Sequence, residues 1–172
     1  QSRVSMGFRV EGYQRARDGS AGGLAEMLFG GDASSRLFKV VRERHSLAYS
    51  VGSSFEGSSG VIYVSAGIDG QNFEKVRRMI RQQAKAIASG KFDPVEIDIA
   101  RAGVARGSRS ARDSQEGLIN VALGQRLGGR TEKSPEEVIE RYGKVSAARM
   151  ADVFSRLRLD TVFFLAQRGT GA

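Results

Sequence analysis

Four segments of the chain carry the apolar pattern of β-strands. In the first, apolar residues recur at every second position, the period of a strand with one buried face; they are Val4, Met6, Phe8 and Val10. The same period returns at Leu47, Tyr49 and Val51, which we expect to share a face, and the polar stretch 56–60 predicts a hairpin to the apolar run 61–68. The last run, 161–166, predicts a buried strand.

Helical periodicity fills most of the remaining chain. Residues 11–19 are polar and predict a loop or the lead-in to a helix that ends at Gly30-Gly31. Asp93-Pro94-Val95-Glu96 combines a cap, a proline at the first position and a glutamate that closes a capping box. Its helix is predicted to carry an apolar side formed by Val95, Ile99, Ala102 and Ala105. Further helices are predicted from about Asn72, Asp113, Ser134 and Ser146.

Strands at both ends with helices between them predict an α+β fold, in which a two-layer, mostly antiparallel sheet has its helices packed on one face. The 172 residues suit a single domain, 1–172, with a sizeable core. The chain begins with Gln1, and Met6 lies inside the first strand. We therefore expect it to be a fragment of a longer product.

The composition narrows the cellular compartments and the binding partners that we expect for this chain. The chain has no cysteine and no apolar run near the roughly 20 residues of a membrane span, and the given residues show no signal-peptide pattern. These features favour a cytoplasmic protein that does not insert into a membrane, while a periplasmic location stays open for a fragment. The net charge of +8 admits nucleic acid as a partner, but the arginines are interleaved with acids, so we expect nucleic-acid binding less.

Motifs for independent catalysis are missing. The chain has one histidine, His45, and neither an H-E-x-x-H nor an H-x-x-E-H motif, so no metal is expected on this chain. It has no G-x-S-x-G elbow, and Gly30-Gly31 is surrounded by neither a dinucleotide-binding nor a P-loop pattern. Taken alone, the chain lacks a catalytic centre.

Arg42 and Tyr49 are the candidate binding residues. Arg42 falls in the last turn of a short predicted helix and Tyr49 in the strand that follows. Because a change from helix to strand separates them, both can converge on one edge of the sheet. A guanidinium and a phenol can bind peptide carbonyls and stabilise an oxyanion. The alternative is that Tyr49 packs in the core and Arg42 stabilises the helix end.

The residues around this pair resemble a known family. The resemblance is carried by Phe29-Gly30-Gly31, Ser34-Ser35-Arg36-Leu37-Phe38, Val41-Arg42-Glu43 and Ser46-Leu47-Ala48-Tyr49-Ser50. They resemble the pitrilysin–insulinase family of zinc metallopeptidases, which includes the mitochondrial processing peptidases. The resemblance is to the non-catalytic, C-terminal type of domain in that family, and it extends over nearly the whole chain.

The resemblance implies a fold, a partner and a site. The fold would be the LuxS-like metallohydrolase fold of the processing peptidases, with two such halves enclosing a chamber. The other half, a domain or a subunit, would carry H-x-x-E-H and the zinc. Arg42 and Tyr49 of this chain would reach the peptide substrate. The glycine-rich substrate loop of the processing peptidases would correspond in this chain to Gly30, Gly31, Ser34 and Ser35, although the loop is short here.

The leading hypothesis is therefore the non-catalytic half of a pitrilysin-type zinc metalloendopeptidase. This half would form one wall of the proteolytic chamber, bind substrate through Arg42 and Tyr49, and associate with a catalytic domain or subunit; a homodimer also fits. The alternative is a structural or assembly domain of an inactive paralogue. A basic nucleic-acid-binding domain is the third hypothesis.

Overall fold

The computed structural model describes residues 1–128 and 134–166, and it contains a four-stranded antiparallel sheet with the strand order β2-β3-β1-β4. The strands are β1 (Ser2–Val10), β2 (Ala48–Glu56), β3 (Val61–Ile68) and β4 (Leu157–Leu165). Each neighbouring pair is antiparallel, and β1 lies in the middle between β3 and β4. The predicted α+β class and antiparallel sheet are confirmed.

Six α-helices occur in the described residues: α1 (Arg15–Glu26), α2 (Phe73–Ala88), α3 (Pro94–Ser110), α4 (Gln115–Gly128), α5 (Pro135–Gly143) and α6 (Ala147–Ser155). Two π-helical segments, Met27–Gly31 and Phe38–Arg44, and a 3₁₀ turn, Gly70–Asn72, complete the helical elements. The polar stretch 11–19 proves to hold the start of α1, at Arg15. No helix of the described part is long and apolar enough to cross a membrane.

The core lies between one face of the sheet and the helices. The alternating residues of β1 are all buried, as predicted, and they meet the alternating residues of β3; the buried set is Val4, Met6, Phe8, Val10, Ile62, Val64, Ala66 and Ile68. The helices close this layer, for example where the Phe29 and Phe154 rings meet edge to face with centroids 5.4 Å apart. The opposite face of the sheet carries exposed residues such as Arg3, Arg9 and Tyr63. The fold is therefore two-layered with one open sheet face.

The predicted buried strand at 161–166 is wrong in its start and in its burial. Strand β4 begins at Leu157 and forms an edge of the sheet. Phe163 and Leu165 lie on the open face and are 58% and 57% exposed, while Val162 and Phe164 pack against the core. Successive residues of a strand point to opposite faces, so a continuous apolar run does not guarantee burial on both.

The capping box of α3 forms as predicted. Asp93 Oδ1 accepts from the Val95 N–H at 2.8 Å, and Glu96 Oε2 accepts from the Asp93 N–H at 2.9 Å. The buried face, however, is Ile97, Ala100 and Gly103, while Val95 is exposed. A Cβ at Gly103 would lie 3.0 Å from the sulfur of Met27, so close helix packing on small residues selected the face. The sequence had predicted a different face of α3, the one with more apolar side chains.

Candidate functional site

Arg42 lies near the end of the π-helical segment Phe38–Arg44. This segment is anchored by Leu37 and Val41, which are both fully buried, and its start is marked by Ser35, whose Oγ accepts from the Phe38 N–H at 3.4 Å. π-Helical turns are rare and are often found at functional sites. Because Val41 points into the core, the neighbouring Arg42 is exposed.

A short hydrogen-bonded turn joins this segment to strand β2. The Ser46 N–H donates to the Arg42 carbonyl at 3.1 Å, and the Leu47 N–H donates to the Val41 carbonyl at 2.9 Å. Ser46 has a φ of 49°, in the left-handed region that a non-glycine residue seldom occupies. These bonds determine the direction in which β2 leaves the π-helical segment, and hence the position of Tyr49 relative to Arg42.

The Arg42 guanidinium has its donors available. It stands 4.7 Å from the centroid of the Phe38 ring, and within the described ranges it forms no ion pair or hydrogen bond. A cation over an aromatic face is weakly held when exposed, by about 0.5–1 kcal/mol. Arg42 therefore keeps its guanidinium N–H groups for a further partner.

Tyr49 lies at a bulge in β2. Ala48 pairs with Ile68 and Ser50 with Gly67, so Tyr49 is the extra residue between two ladder positions. Its ring is 57% exposed, which excludes core packing, and the shared face predicted with Val51 is wrong because the bulge interrupts the alternation. The phenol donates to Asp69 Oδ1 at 2.6 Å. This hydrogen bond and the negative charge of Asp69 raise the pKa of Tyr49, so the phenol stays neutral.

The loop before Arg42 is held by local contacts. A side chain at Gly30 would overlap Ser53 of β2, so Gly30 marks a close approach of the two segments. Ser34 Oγ donates to Asp32 Oδ1 at 2.6 Å, Ser35 is buried and Gly31 is exposed. The role of these residues as a substrate loop remains a prediction.

Asp69 is a residue of this site that sequence reasoning missed. It directly follows β3 and is exposed, so its pairing with Tyr49, twenty residues earlier in the chain, depends on the antiparallel packing of β2 on β3. Two other carboxylates, Asp18 and Glu26, were also missed, and both are buried on α1. Glu26 had a signal: it is a lone charge in the apolar run 24–29.

Glu26, the last residue of α1, is enclosed by that end of the helix and by strand β2. Ser53 Oγ donates to its Oε1 at 2.7 Å, and only 7% of the residue is exposed. Burial raises the pKa of Glu26 to about 7, the Ser53 hydrogen bond opposes this rise, and the charge of Asp32 adds to it. The carboxyl is thus poised between its neutral and charged forms near neutral pH.

The residues present do not fit a zinc ion. Catalytic zinc takes three protein ligands from histidine, cysteine, aspartate or glutamate. Among residues 1–128 and 134–166, no group of three such side chains is placed to hold a metal. No step of any reaction is therefore assigned to a metal on this domain.

The fold and this donor set define an α+β domain whose described residues form no metal centre. The profile of the peptidase M16 inactive domain matches residues 1–104. The chain belongs to this family, as the resemblance of residues 29–50 predicted.

Relatives and solved structures agree with this assignment. The chain is 29% identical over 165 residues to the "probable inactive metalloprotease YmfF" of Bacillus subtilis, covering 96% of this chain and 38% of the relative. A conserved protein from Enterococcus faecalis has a TM-score of 0.87 at 29% identity, over 100% of this chain and 40% of that one. A peptidase M16 inactive domain from Pseudomonas fluorescens has a TM-score of 0.71 at 17% identity, over 98% and 43%. The chain thus spans about two-fifths of such relatives.

Proposed function

We propose that this domain forms one wall of the substrate chamber of a zinc metallopeptidase and binds peptide backbone there through Arg42 and Tyr49. The observation that carries the proposal is the exposure of both polar side chains on either side of one short, hydrogen-bonded turn. Zinc and the general base would come from a domain or subunit that carries H-x-x-E-H. Relatives described as zinc proteases support a metallopeptidase as the parent.

The hydrogen-bonding capacities of the pair complement those of a peptide bond. Arg42 can donate to a peptide carbonyl, since its guanidinium is exposed and always charged. The phenol proton of Tyr49 is used by Asp69, but the phenol oxygen can still accept from a peptide N–H. Because Asp69 orients the hydroxyl, the acceptor would be positioned before substrate arrives.

Two roles for Arg42 are distinguishable by kinetics. If Arg42 contacts the scissile carbonyl, its positive charge stabilises the oxyanion that develops in the transition state, and its loss lowers kcat. If it contacts a neighbouring carbonyl, it binds substrate and transition state equally, and its loss raises KM alone.

The test is peptide cleavage by the full-length protein, or by this chain combined with the catalytic half. Arg42→Ala removes a charge-assisted hydrogen bond worth about 1.5–3 kcal/mol, so we expect kcat/KM to fall about 10- to 100-fold. Tyr49→Phe removes one neutral hydrogen bond and should lower kcat/KM about 2- to 10-fold.

Arg44→Ala is the matched control, because Arg44 is an exposed arginine of the same π-helical segment. It should leave kcat/KM within about twofold of the parent value, as exposed charges do when they touch nothing. If Arg42→Ala and Tyr49→Phe both leave kcat/KM unchanged in an active enzyme, the assigned roles are wrong.

A second candidate is a structural or assembly domain of an inactive paralogue. It is favoured by the Bacillus subtilis relative, whose name describes an inactive metalloprotease. The two candidates differ in one observable: the first requires H-x-x-E-H in the parent chain or in a partner subunit. Absence of the motif from both would favour the assembly role.

A further inference from the structure

A cavity of about 350 Å³ lies among α1, α3, α4, α5 and the end of the β2–β3 hairpin. Its volume falls within the roughly 300–1,000 Å³ of pockets that bind small molecules. The described lining includes neither Arg42 nor Tyr49, so the cavity is a separate feature from the proposed peptide site.

Glycines of the surrounding helices form part of the cavity lining. Gly19 and Gly23 line the cavity from α1, and Gly107 lines it from α3. A glycine inside a helix costs about 1 kcal/mol relative to alanine. At Gly23 a Cβ would stand 2.7 Å from the Tyr142 hydroxyl, so packing explains that glycine, but at Gly107 it would meet no atom within 4 Å. A side chain at Gly107 would therefore meet open space beside the cavity and no packed neighbour.

Glu26 contributes a buried carboxylate to the lining. Ser53 donates to Oε1, whereas Oε2 has no hydrogen bond from any residue that the structure describes. No arginine or lysine of the described part forms an ion pair with Glu26. A buried carboxylate with an unused oxygen is complementary to a donor that carries positive charge, such as an ammonium group.

Arg112 and Arg141 contribute positive charge to other parts of the cavity lining. The Arg141 guanidinium lies 4.7 Å from the centroid of the Tyr142 ring and donates to Ser20 Oγ, which orients it. A guanidinium is a fork that matches a carboxylate. Apolar surface comes from Met27, Phe55 and Val104.

We propose that this cavity binds a small apolar zwitterion, either a free amino acid or a short peptide. Its ammonium group would contact Glu26, its carboxylate would contact Arg141 or Arg112, and its side chain would lie against the apolar part of the lining. This inference does not rest on the proposed peptidase role, because it uses none of the residues of that site.

The probes are leucine and the dipeptide Leu-Leu, titrated calorimetrically into the full chain. We expect saturable binding of at least one of them. The probe that binds more tightly shows whether the ligand is a free amino acid or a short peptide. N-acetylation and C-terminal amidation should each weaken binding about 10- to 100-fold, since each removes one charge-assisted interaction. Absence of binding by both probes at millimolar concentration would overturn the proposal.

Two variants test the position of the ligand. Glu26→Gln should weaken binding of the unmodified probe about 10- to 100-fold. In this variant, N-acetylation of the probe should cause no further loss of affinity. Gly107→Leu places a side chain in the open space and should abolish binding, with thermal unfolding as the check that the fold persists. Gly143→Leu is the control, because Gly143 also lies in a helix with no atom near its Cβ but outside the lining. Binding that survives both Glu26→Gln and Gly107→Leu would place the ligand elsewhere.

Discussion

Asp18 and Glu26 lie eight residues apart on the same helix, both are buried, and their surroundings act in opposite directions. Asp18 is fully buried, and Arg17 and Arg156 each bind both of its carboxylate oxygens, at distances between 2.8 and 3.2 Å. Arg149 and the Gln14 N–H add further donors. Glu26 has one described hydrogen-bond donor, Ser53.

The pKa of each group follows from its donors. Burial alone would raise the pKa of Asp18, but the hydrogen bonds from Arg17, Arg156 and the Gln14 N–H outweigh burial and hold it well below its usual range. For Glu26 the single hydroxyl does not offset burial, and the pKa rises to about 7. Burial of a carboxylate therefore has no fixed electrostatic consequence; the number and charge of its donors decide the sign.

The two carboxylates also differ in what they hold together. The arginines of Asp18 come from α1, from α6 and from the residue that precedes β4, so this charge joins three segments of the fold. Glu26 lines a cavity instead. We interpret Asp18 as a structural charge and Glu26 as a group available to a ligand.

The largest effect is expected for Asp18→Asn. Removing the charge leaves three arginines around a buried neutral amide, and breaking a buried ion pair on one side costs about 3–5 kcal/mol. Urea unfolding at neutral pH should report this loss. Asp98→Asn is the control, because Asp98 pairs with Arg101 at 3.1 Å but is exposed; it should change the free energy of unfolding by less than about 1 kcal/mol. Equal effects for both variants would contradict the structural role of Asp18.

The next effect is the pH dependence that Glu26 confers. Its pKa rises from 4.5 to about 7 on folding, so the folded protein binds the proton more tightly. The stability from this group is full below pH 4.5 and is lost as the pH rises through about 7. The whole change amounts to about 3 kcal/mol. Asp18 has the opposite sign, since its lowered pKa contributes stability that is lost as the pH falls through acid values.

Glu26→Gln separates this effect from other titrations. Urea unfolding between pH 5 and pH 8 should show a declining free energy of unfolding in the parent protein and a smaller decline in the variant. His45→Asn is the control for the one histidine of the chain and should keep the decline. A decline of equal size in Glu26→Gln and in the parent would show that Glu26 is not the group responsible.

The smallest effect distinguishes the arginines within the Asp18 cluster. Arg156 donates to both oxygens of Asp18, at 2.9 and 3.2 Å, whereas Arg149 reaches one oxygen at 3.4 Å. We expect Arg156→Ala to cost about 2 kcal/mol and Arg149→Ala less than about 1 kcal/mol. Urea unfolding of the two variants measures the difference, and the reverse order would contradict the assigned geometry.

Local sequence patterns were sufficient for the fold class and for most of the elements, though not for the start of β4 or the alternation around Tyr49. The alternation from Val4 to Val10 and the capping box at Asp93 depend on residues close in sequence, and both form as predicted. Their physics is local, because the two-residue period of a strand and the first turn of a helix involve only neighbouring residues. The motif around Arg42 and Tyr49 likewise identified the family.

Three features depended on tertiary packing. The bulge that exposes Tyr49 arises from pairing with β3, the face of α3 was selected by close contact at Gly103, and the charge of Asp18 meets Arg156, 138 residues later in the chain. The sequence contains these residues, but it carries no local signal of which distant groups will surround them. Local periodicity therefore predicted the fold, whereas the protonation of its buried carboxylates was decided when α1, α6 and β2 packed together.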